Sequence, residues 1–223
     1  MASYYKLVEY DSDEEEPIIV PMVNLTAAAF FIANMLERAS IPYGIMGGLA
    51  VRLIGGDRNT KDVDMAFQTS MQRMWKVVEV EERLKIPSTR LISNIMKVFV
   101  KTGPEFDNCA RNFEVEVEVN LIECGFQNSP RDLAENFMLH TIPSASGRLQ
   151  IRGVSLLYLL REKMAAFASR AQVSDVQDIQ TILLNRREEV RSFVDSLEPS
   201  DVDRFLERMP QQSRAYWKSF FGR

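Results

Sequence analysis

The clearest hydrophobic pattern in the chain is the alternation of apolar and polar residues in the segment from Phe113 to Glu123, which is interrupted only at Ile122. Side chains alternate between the two faces of a strand, so this period of two predicts a strand with one apolar and one acidic face. The acidic face carries Glu114, Glu116, Glu118 and Asn120. A second such segment runs from Asn94 to Lys101, and the Gly103-Pro104 turn region between the two favours an antiparallel pair.

Helical and extended patterns alternate in the part of the chain that precedes these strands. The first helical segment begins at Asn24, a residue type that caps helices, and ends before Pro42. The pattern predicts, in order, a helix over residues 24–39, a buried strand over 43–46, a short helix over 49–55, a strand over 63–67 and a helix over 69–84.

The character of the sequence changes at Ser155, after which nearly every segment has helical periodicity. Strands and helices followed by helices alone predict an α/β or α+β core with a helical second lobe. We divide the chain into an acidic flexible tail (residues 1–20), a catalytic lobe (21–152) and a helical lobe (153–223).

Composition excludes several classes of protein. Hydrophobic residues make up 46% and charged residues 26% of the 223 positions, which is typical of an ordinary globular protein. No run of about 18 apolar residues is present, so the sequence predicts no membrane span and no membrane partner. Two cysteines and one histidine argue against a disulfide framework and against a Cys/His zinc site, and they favour a reduced intracellular setting, cytoplasmic or nuclear.

The charge of the chain is concentrated at its N-terminus. The net charge is −4, and residues 1–20 hold six acidic residues against one lysine, so the remaining body is close to neutral. A neutral body lacks the broad basic footprint of a nucleic-acid-binding protein, although it leaves room for a local basic groove.

A candidate phosphate site lies between Tyr43 and Phe67, where Gly47 and Gly48 separate the predicted buried strand from a short helix. Glycine lets a ligand approach the backbone closely, and the free N–H groups at the start of a helix favour phosphate. A Gly-Gly pair is also common in plain tight turns, so the dipeptide by itself decides nothing.

A candidate metal site follows at Asp62 and Asp64, at the start of the next predicted strand. Alternation places both carboxylates on one face, with Cα atoms about 7 Å apart. Two such carboxylates repel each other unless a cation binds between them. Mg²⁺ is the cation that both carboxylates and triphosphate oxygens bind. The acidic face of the 113–123 strand offers a third ligand for a two-metal phosphoryl-transfer site. The alternative is that both acidic faces are simply solvated.

The order of these elements resembles the nucleotidyltransferase superfamily of the DNA polymerase beta type. The spacing Arg58-x-Thr60-x-Asp62-x-Asp64 after Gly-Gly is similar to that of the abortive-infection and toxin-type branch and its fungal relatives. Residues 156–184 also resemble the helical lobe of that branch. The resemblance spans about residues 24–190 and implies a nucleotidyltransferase-type mixed sheet with flanking helices, followed by a C-terminal helical lobe.

By this resemblance the chain is a Mg²⁺-dependent nucleotidyltransferase, with Mn²⁺ as an alternative ion, that binds a nucleoside triphosphate and releases pyrophosphate. Asp62, Asp64 and Glu118 would be both the metal ligands and the catalytic residues. The substrate-binding residues would be Gly47, Gly48, Arg58, Thr60, Asn120, Lys163 and Asp178.

The resemblance also assigns the helical lobe a role. Lys163 would reach the triphosphate across the cleft from the side of the helical lobe. Arg170, Asp175 and Asp178 would form or order the cleft wall on that side. A structural ion pair between Arg170 and one of the two aspartates is the alternative.

The third acidic position departs from the family pattern, because Asn120 stands where the family has an aspartate. Glu118, two residues earlier on the same face, would replace it from about 7 Å along the strand. Three functions therefore stay open: a transferase, a protein that binds nucleotide or a partner without turnover, and an interaction protein that uses its charged termini. The acceptor, whether RNA, protein or a small molecule, has no readable code in the sequence.

Overall fold

The computed structural model of the chain describes residues 1–6, 19–90, 92–107, 115–144 and 147–223. The strands are β1 (Ser3–Tyr5), β2 (Tyr43–Met46), β3 (Asp62–Phe67), β4 (Leu84–Pro87), β5 (Ile95–Thr102), β6 (Val115–Glu123), β7 (Phe137–Ser144) and β8 (Gly147–Val154). The α-helices are α1 (Met22–Arg38), α2 (Gly47–Leu53), α3 (Met71–Val78), α4 (Leu156–Arg170), α5 (Val173–Asn185), α6 (Arg187–Arg191), α7 (Pro199–Arg208) and α8 (Gln211–Phe220).

The eight strands form one mixed sheet in the order β1-β4-β5-β6-β3-β2-β8-β7. Three neighbouring pairs are parallel (β1 with β4, β3 with β6, β2 with β8), and the other four are antiparallel. Helices flank this sheet, and α4 to α8 follow its last strand. The predicted fold class, a mixed α/β sheet followed by C-terminal helices, is confirmed.

Strand register brings the acidic face of β6 against the predicted metal site. β3 and β6 run parallel, with Asp62 opposite Glu118 and Asp64 opposite Asn120. β5 and β6 are antiparallel, as predicted, and place Lys97 opposite Asn120 on the other side. Residues 113 and 114 of the predicted strand lie outside the described part of the chain.

Helix α1 packs its buried face against the central strands β3, β5 and β6. The predicted cap at Asn24 is wrong, because the helix begins at Met22 after Pro21. Asn24 is fully buried inside the helix, where its Nδ2 donates to Thr102 Oγ1 on β5 at 2.9 Å. The asparagine at this position therefore serves a hydrogen bond to a distant strand and does not cap the helix.

Two predictions about chain segments differ from the structure. The helix predicted to reach Leu84 ends at Val78, and Leu84 begins β4 instead. Ser3–Tyr5, which the sequence assigned to a flexible tail, form a strand parallel to β4. Both differences come from pairing between distant segments, which local periodicity does not record. Residues 7–18 of the predicted tail lie outside the described residues.

The helices after β8 share an aromatic core. Phe205 of α7 makes edge-to-face contacts with Phe167 of α4 and Trp217 of α8, with ring centroids 6.3 Å apart in each pair. Across the described ranges, no helix combines the length and the hydropathy needed to cross a membrane. The boundaries assigned to the tail and the two lobes stay a prediction.

Candidate functional site

A cleft of about 820 Å³ lies between the β3–β6 part of the sheet and helix α4. We call it the main cleft. Its walls carry many charged and amide side chains. Such groups are costly to bury unless a polar ligand or water contacts them. The predicted residues that line it are Gly48, Arg58, Thr60, Asp62, Asp64, Asn120, Lys163 and Arg170.

Asp62 and Asp64, the carboxylate pair, lie side by side in the main cleft. Thr60 Oγ1 donates to Asp62 Oδ1 at 3.0 Å, and Asn120 Nδ2 donates to Asp64 Oδ1 at 3.1 Å. Among the described ion pairs, neither carboxylate has a basic partner. Burial, followed by the charges of Asp62 and Glu162, raises the pKa of Asp64 from 3.8 to about 7. The pair therefore has no direct ion-pair partner among the described contacts, and the charge of Lys163, which lowers the pKa of Asp64, is outweighed by burial and by the neighbouring carboxylates.

Gly47 is held against Asp64 in a conformation that favours glycine. Its φ is +68°, and a Cβ built there would lie 2.0 Å from Asp64 Oδ2. The N–H of Gly47 donates to Glu162 Oε2 at 3.0 Å, so this backbone group already has a partner within the protein. Gly48 faces the cleft, where a Cβ would lie 2.7 Å from Thr60 Oγ1.

We expect Gly47→Ala to lower the free energy of unfolding by about 2–4 kcal/mol, since a positive φ and a clash with a buried carboxylate add. Gly222→Ala is the matched control, because Gly222 has a similar φ of +66° and nothing within 4 Å of its built Cβ. That control should lose only about 1 kcal/mol. Urea denaturation measures both, and equal losses would contradict a packing role for Gly47.

The basic wall of the cleft is organised by Asp178, which is 2% exposed. Arg58 binds both of its oxygens, at 2.9 and 2.8 Å, and Lys163 Nζ lies 3.3 Å from Oδ2. Lys163 also pairs with Glu162 at 3.2 Å. Burial opposes the charge of Lys163, but Glu162 and Asp178 outweigh it and raise its pKa. Asp178 therefore lies behind the two cations and is not among the residues that line the cleft.

Arg170 and Asp175 form the ion pair that the sequence offered as one alternative. Both guanidinium contacts are short, at 2.8 and 2.7 Å, and join the end of α4 to the first turn of α5. Asp175 is buried, whereas the Arg170 side chain is 52% exposed and reaches the main cleft. The ion pair orders the turn between α4 and α5, and it places the Arg170 guanidinium at the wall of the main cleft.

Glu118 is not brought into the main cleft with the other predicted ligands. Its Oε1 lies 3.0 Å from Lys97 Nζ, and its strand position is opposite Asp62, not Asp64. Asn120 occupies the position beside Asp64 and lines the cleft. The catalytic and metal-binding roles given to Glu118 stay predictions.

Glu162 is a site residue that sequence reasoning missed. It lines the main cleft and links Gly47 to Lys163 through its two oxygens, and burial raises its pKa. The signal was present in the sequence, since an acid and a base that stand next to each other within a largely apolar stretch of helix need partners when they are buried. His140, by contrast, is buried away from the cleft lining, and burial lowers its pKa to about 4, which fits a structural role.

The residues of the carboxylate pair suit a hard divalent cation better than a transition metal. Within the described ranges no group of three or more His, Cys, Asp or Glu side chains could hold a metal by itself. Two carboxylates that repel each other and an open polar cleft leave coordination positions for ligand oxygens and water, as Mg²⁺ requires.

Solved structures similar to this chain include an antigenic nucleotidyltransferase-like protein from Paracoccidioides brasiliensis, at 17% identity and a TM-score of 0.49, covering 85% of this chain and 95% of that one.

Two antibiotic-related structures are also similar. ANT(2'')-Ia in complex with adenylyl-2''-tobramycin has 12% identity and a TM-score of 0.46, covering 88% of this chain and 97% of its own. The lincomycin-bound lincosamide antibiotic adenylyltransferase LnuA has 13% identity and a TM-score of 0.39, covering 69% and 92%. No protein-family model matches the chain, and no curated protein matches it significantly. At such low identities, what this chain does has to be inferred from its own residues.

Proposed function

We propose that the protein is a Mg²⁺-dependent nucleotidyltransferase that moves a nucleoside monophosphate from a nucleoside triphosphate to a hydroxyl acceptor. The observation that carries this proposal is the carboxylate pair, which lies without a basic partner among the described ion pairs and shares one cleft with Arg58 and Lys163. Carboxylates beside cations in one open cleft match a metal-bound polyphosphate, whose charges both sets of residues would balance.

The chain's own residues would supply positioning and charge. Asp62 and Asp64 would hold the ion, which when bound neutralises phosphate oxygens and orients the reacting groups. Arg58 and Lys163, ordered by Asp178, would stabilise the charge that develops on departing pyrophosphate. The protein needs to form no covalent bond, so the rate would come from orientation and electrostatics.

The acceptor hydroxyl would approach from the side of β6. Glu118 would position it or take its proton, whereas Asn120 could only position it, because an amide takes no proton at neutral pH. Thr60 and Gly48 would complete the wall nearest the triphosphate. Two cysteines and the composition of the chain favour a reduced, cytoplasmic setting for this reaction.

A label-transfer assay tests the proposal. The full-length protein is incubated with each α-labelled nucleoside triphosphate, Mg²⁺ or Mn²⁺, and either total RNA, protein extract or small-molecule hydroxyl compounds. We expect label on one acceptor class, lost when EDTA removes the metal. Absence of transfer to all three classes under both metals would contradict the proposal.

Nucleotide binding without turnover is the second candidate function, and Asn120 favours it. An amide stands beside Asp64 where a third carboxylate would act as base, and it donates a hydrogen bond to Asp64. Calorimetric binding of Mg²⁺ with a triphosphate, combined with no label transfer, would establish this function.

We expect Asn120→Asp to distinguish the two functions. The substitution replaces a donor with a third negative charge, so without metal the melting temperature should fall, while Mg²⁺ should raise it more than in the wild type. If the wild type only binds nucleotide, the variant should gain label transfer. If the wild type already transfers, the gain should be within about tenfold. Thermal melts with and without an excess of chelator over metal measure the change in melting temperature. The label-transfer assay measures the gain in transfer.

A further inference from the structure

A second, smaller pocket of about 140 Å³ adjoins the main cleft, and Asn120 lines both. We call it the side pocket. It lies where α3, β5 and the chain after β4 meet. Its lining includes Tyr5, Met71, Trp75, Ile95, Lys97 and Asn120. A group seated there would lie next to Asn120, which contacts Asp64 of the carboxylate pair.

The size and lining of the side pocket suit a single aromatic ring. A cavity of about 150 Å³ lined by apolar side chains is known to take up one benzene molecule. Trp75 and Tyr5 are both nearly fully buried, and Met71 adds a flexible thioether side chain. Rings and methionine sulfur make favourable contacts with an inserted ring. A nucleoside, with its ribose and base together, is too large for this volume.

The groups at the polar end of the side pocket favour an acidic hydroxyl. Asn120 has no basic atom to take a proton at neutral pH, and Glu118 is paired with Lys97. A phenolic hydroxyl has a pKa of about 10, against about 15.7 for water, so it needs far less help from a base. Lys97 lines the pocket opposite Asn120, and its ammonium group has donors besides the one directed at Glu118, so it can donate a hydrogen bond to the phenol oxygen.

We propose that the side pocket receives the acceptor of the transfer reaction and that this acceptor is a phenol, either a small molecule or a tyrosine side chain. This rests on the proposed function. The phenol oxygen forms a bond to the α-phosphorus, and the bond from that phosphorus to the oxygen bridging to the β-phosphorus breaks. Pyrophosphate leaves with the bonding electrons, and the phenolic proton passes to solvent water. The product is an aryl ester of the nucleoside monophosphate.

Binding of p-cresol tests the side pocket without any turnover. Thr89 lines the pocket with an exposed side chain, so Thr89→Trp should obstruct it without disturbing the core. Ser88→Trp, an equally exposed neighbour outside the lining, is the matched control. We expect ligand-observed NMR to detect p-cresol on the wild type and on Ser88→Trp, and at least tenfold weaker binding on Thr89→Trp. No binding, or binding unchanged by Thr89→Trp, would overturn the proposal.

Label transfer to defined acceptors tests the chemistry. The acceptors are p-cresol, N-acetyltyrosinamide, a tyrosine-containing peptide, N-acetylserinamide and an RNA oligonucleotide with a free 3′ hydroxyl. We expect transfer to the phenols and at least tenfold less to the others, with Thr89→Trp raising the KM for the phenol and leaving triphosphate binding unchanged. Preference for the free phenol or for the peptide identifies which source of the phenol the protein uses.

The outcomes separate this inference from the proposed function. Transfer to serine or to RNA but not to phenols would overturn the phenol assignment and leave the nucleotidyltransferase intact. No transfer to any acceptor, together with intact p-cresol binding, would overturn the transferase itself and with it the role of the pocket as an acceptor site.

Discussion

Asp64→Asn should reduce nucleotidyl transfer by about a hundredfold to a thousandfold, since removing one electrostatic contact at a reacting centre costs about that much. Asp64 lies against Gly47 and beside Asp62 in the main cleft, where it would bind the metal. Asparagine keeps its shape and removes its charge. Initial rates of label transfer at saturating metal give the measurement.

Glu116→Gln is the control for this substitution. Glu116 lies on the same face of β6 as Glu118 and Asn120. Its side chain is 39% exposed and pairs with Lys85 at 3.3 Å. It should keep wild-type activity. Residual activity of Asp64→Asn above about one hundredth of the wild type would remove Asp64 from the metal site.

The same variant should change how stability depends on pH. Because the folded-state pKa of Asp64 is raised from 3.8 to about 7, the folded protein binds more protons than the unfolded chain in this window. In the absence of metal, the stability of the wild type should therefore fall as the pH rises from about 4 to 7. Asp64→Asn should lack this decrease and be the more stable protein at pH 8, while losing the stabilisation by Mg²⁺.

Asp178→Ala should lower the free energy of unfolding by about 3–5 kcal/mol, the cost of leaving buried charges without their partner. Its carboxylate binds Arg58 through both oxygens and also Lys163, whose side chain is only 4% exposed. Among the described ion pairs, removing it leaves Arg58 without a partner and Lys163 paired with Glu162 alone. Urea denaturation at neutral pH measures the loss.

Asp175→Ala is the matched comparison for Asp178→Ala. Asp175 is equally buried and also binds an arginine through two hydrogen bonds, but Arg170 is 52% exposed and can return to water. We expect a loss of about 1–3 kcal/mol. Equal losses in the two variants would show that Asp178 is not the organising charge of the basic wall.

Much of the central sheet could be predicted because its signals are local. The period of two in β6, the apolar run of β2 and the spacing of Asp62 and Asp64 each depend on how neighbouring side chains alternate along a strand. The same holds for the Ser70 cap of α3, whose oxygen accepts from the N–H of Arg73 three residues later. Such interactions form within a few residues, so the sequence records them directly.

The outer strands could not be predicted in this way. β1 has three residues, and only its pairing with β4 makes it a strand. β7 and β8 form an antiparallel pair, and β8 joins the sheet beside β2. β1 is too short to show a period, and the alternation in β8 is confined to residues 148–152. The places of β1 and β8 in the sheet depend on pairing with β4 and β2, which lie far along the chain.

The choice between Glu118 and Asn120 was also beyond the sequence. Both lie on one face of β6, and only the register with β3 places Asn120 beside Asp64 and Glu118 beside Asp62. A shift of two residues would have placed Glu118 beside Asp64 and Glu116 beside Asp62, while leaving every apolar side chain on the same face. Hydrophobic patterning therefore specifies the face of a strand but not which residue of that face meets a given neighbour.

By itself, the sequence determined the carboxylate pair, the Gly-Gly turn and the helical periodicity of the C-terminal part, because each follows from backbone geometry over a few residues. Only the tertiary structure decided that Glu162 binds Gly47 from 115 positions away, that Asp178 holds Arg58 and Lys163 together, and that Asn120 joins two pockets. These contacts depend on how distant elements pack against each other. Because an unpaired polar group is costly once it is buried, each such group pairs with a partner that packing brings within reach.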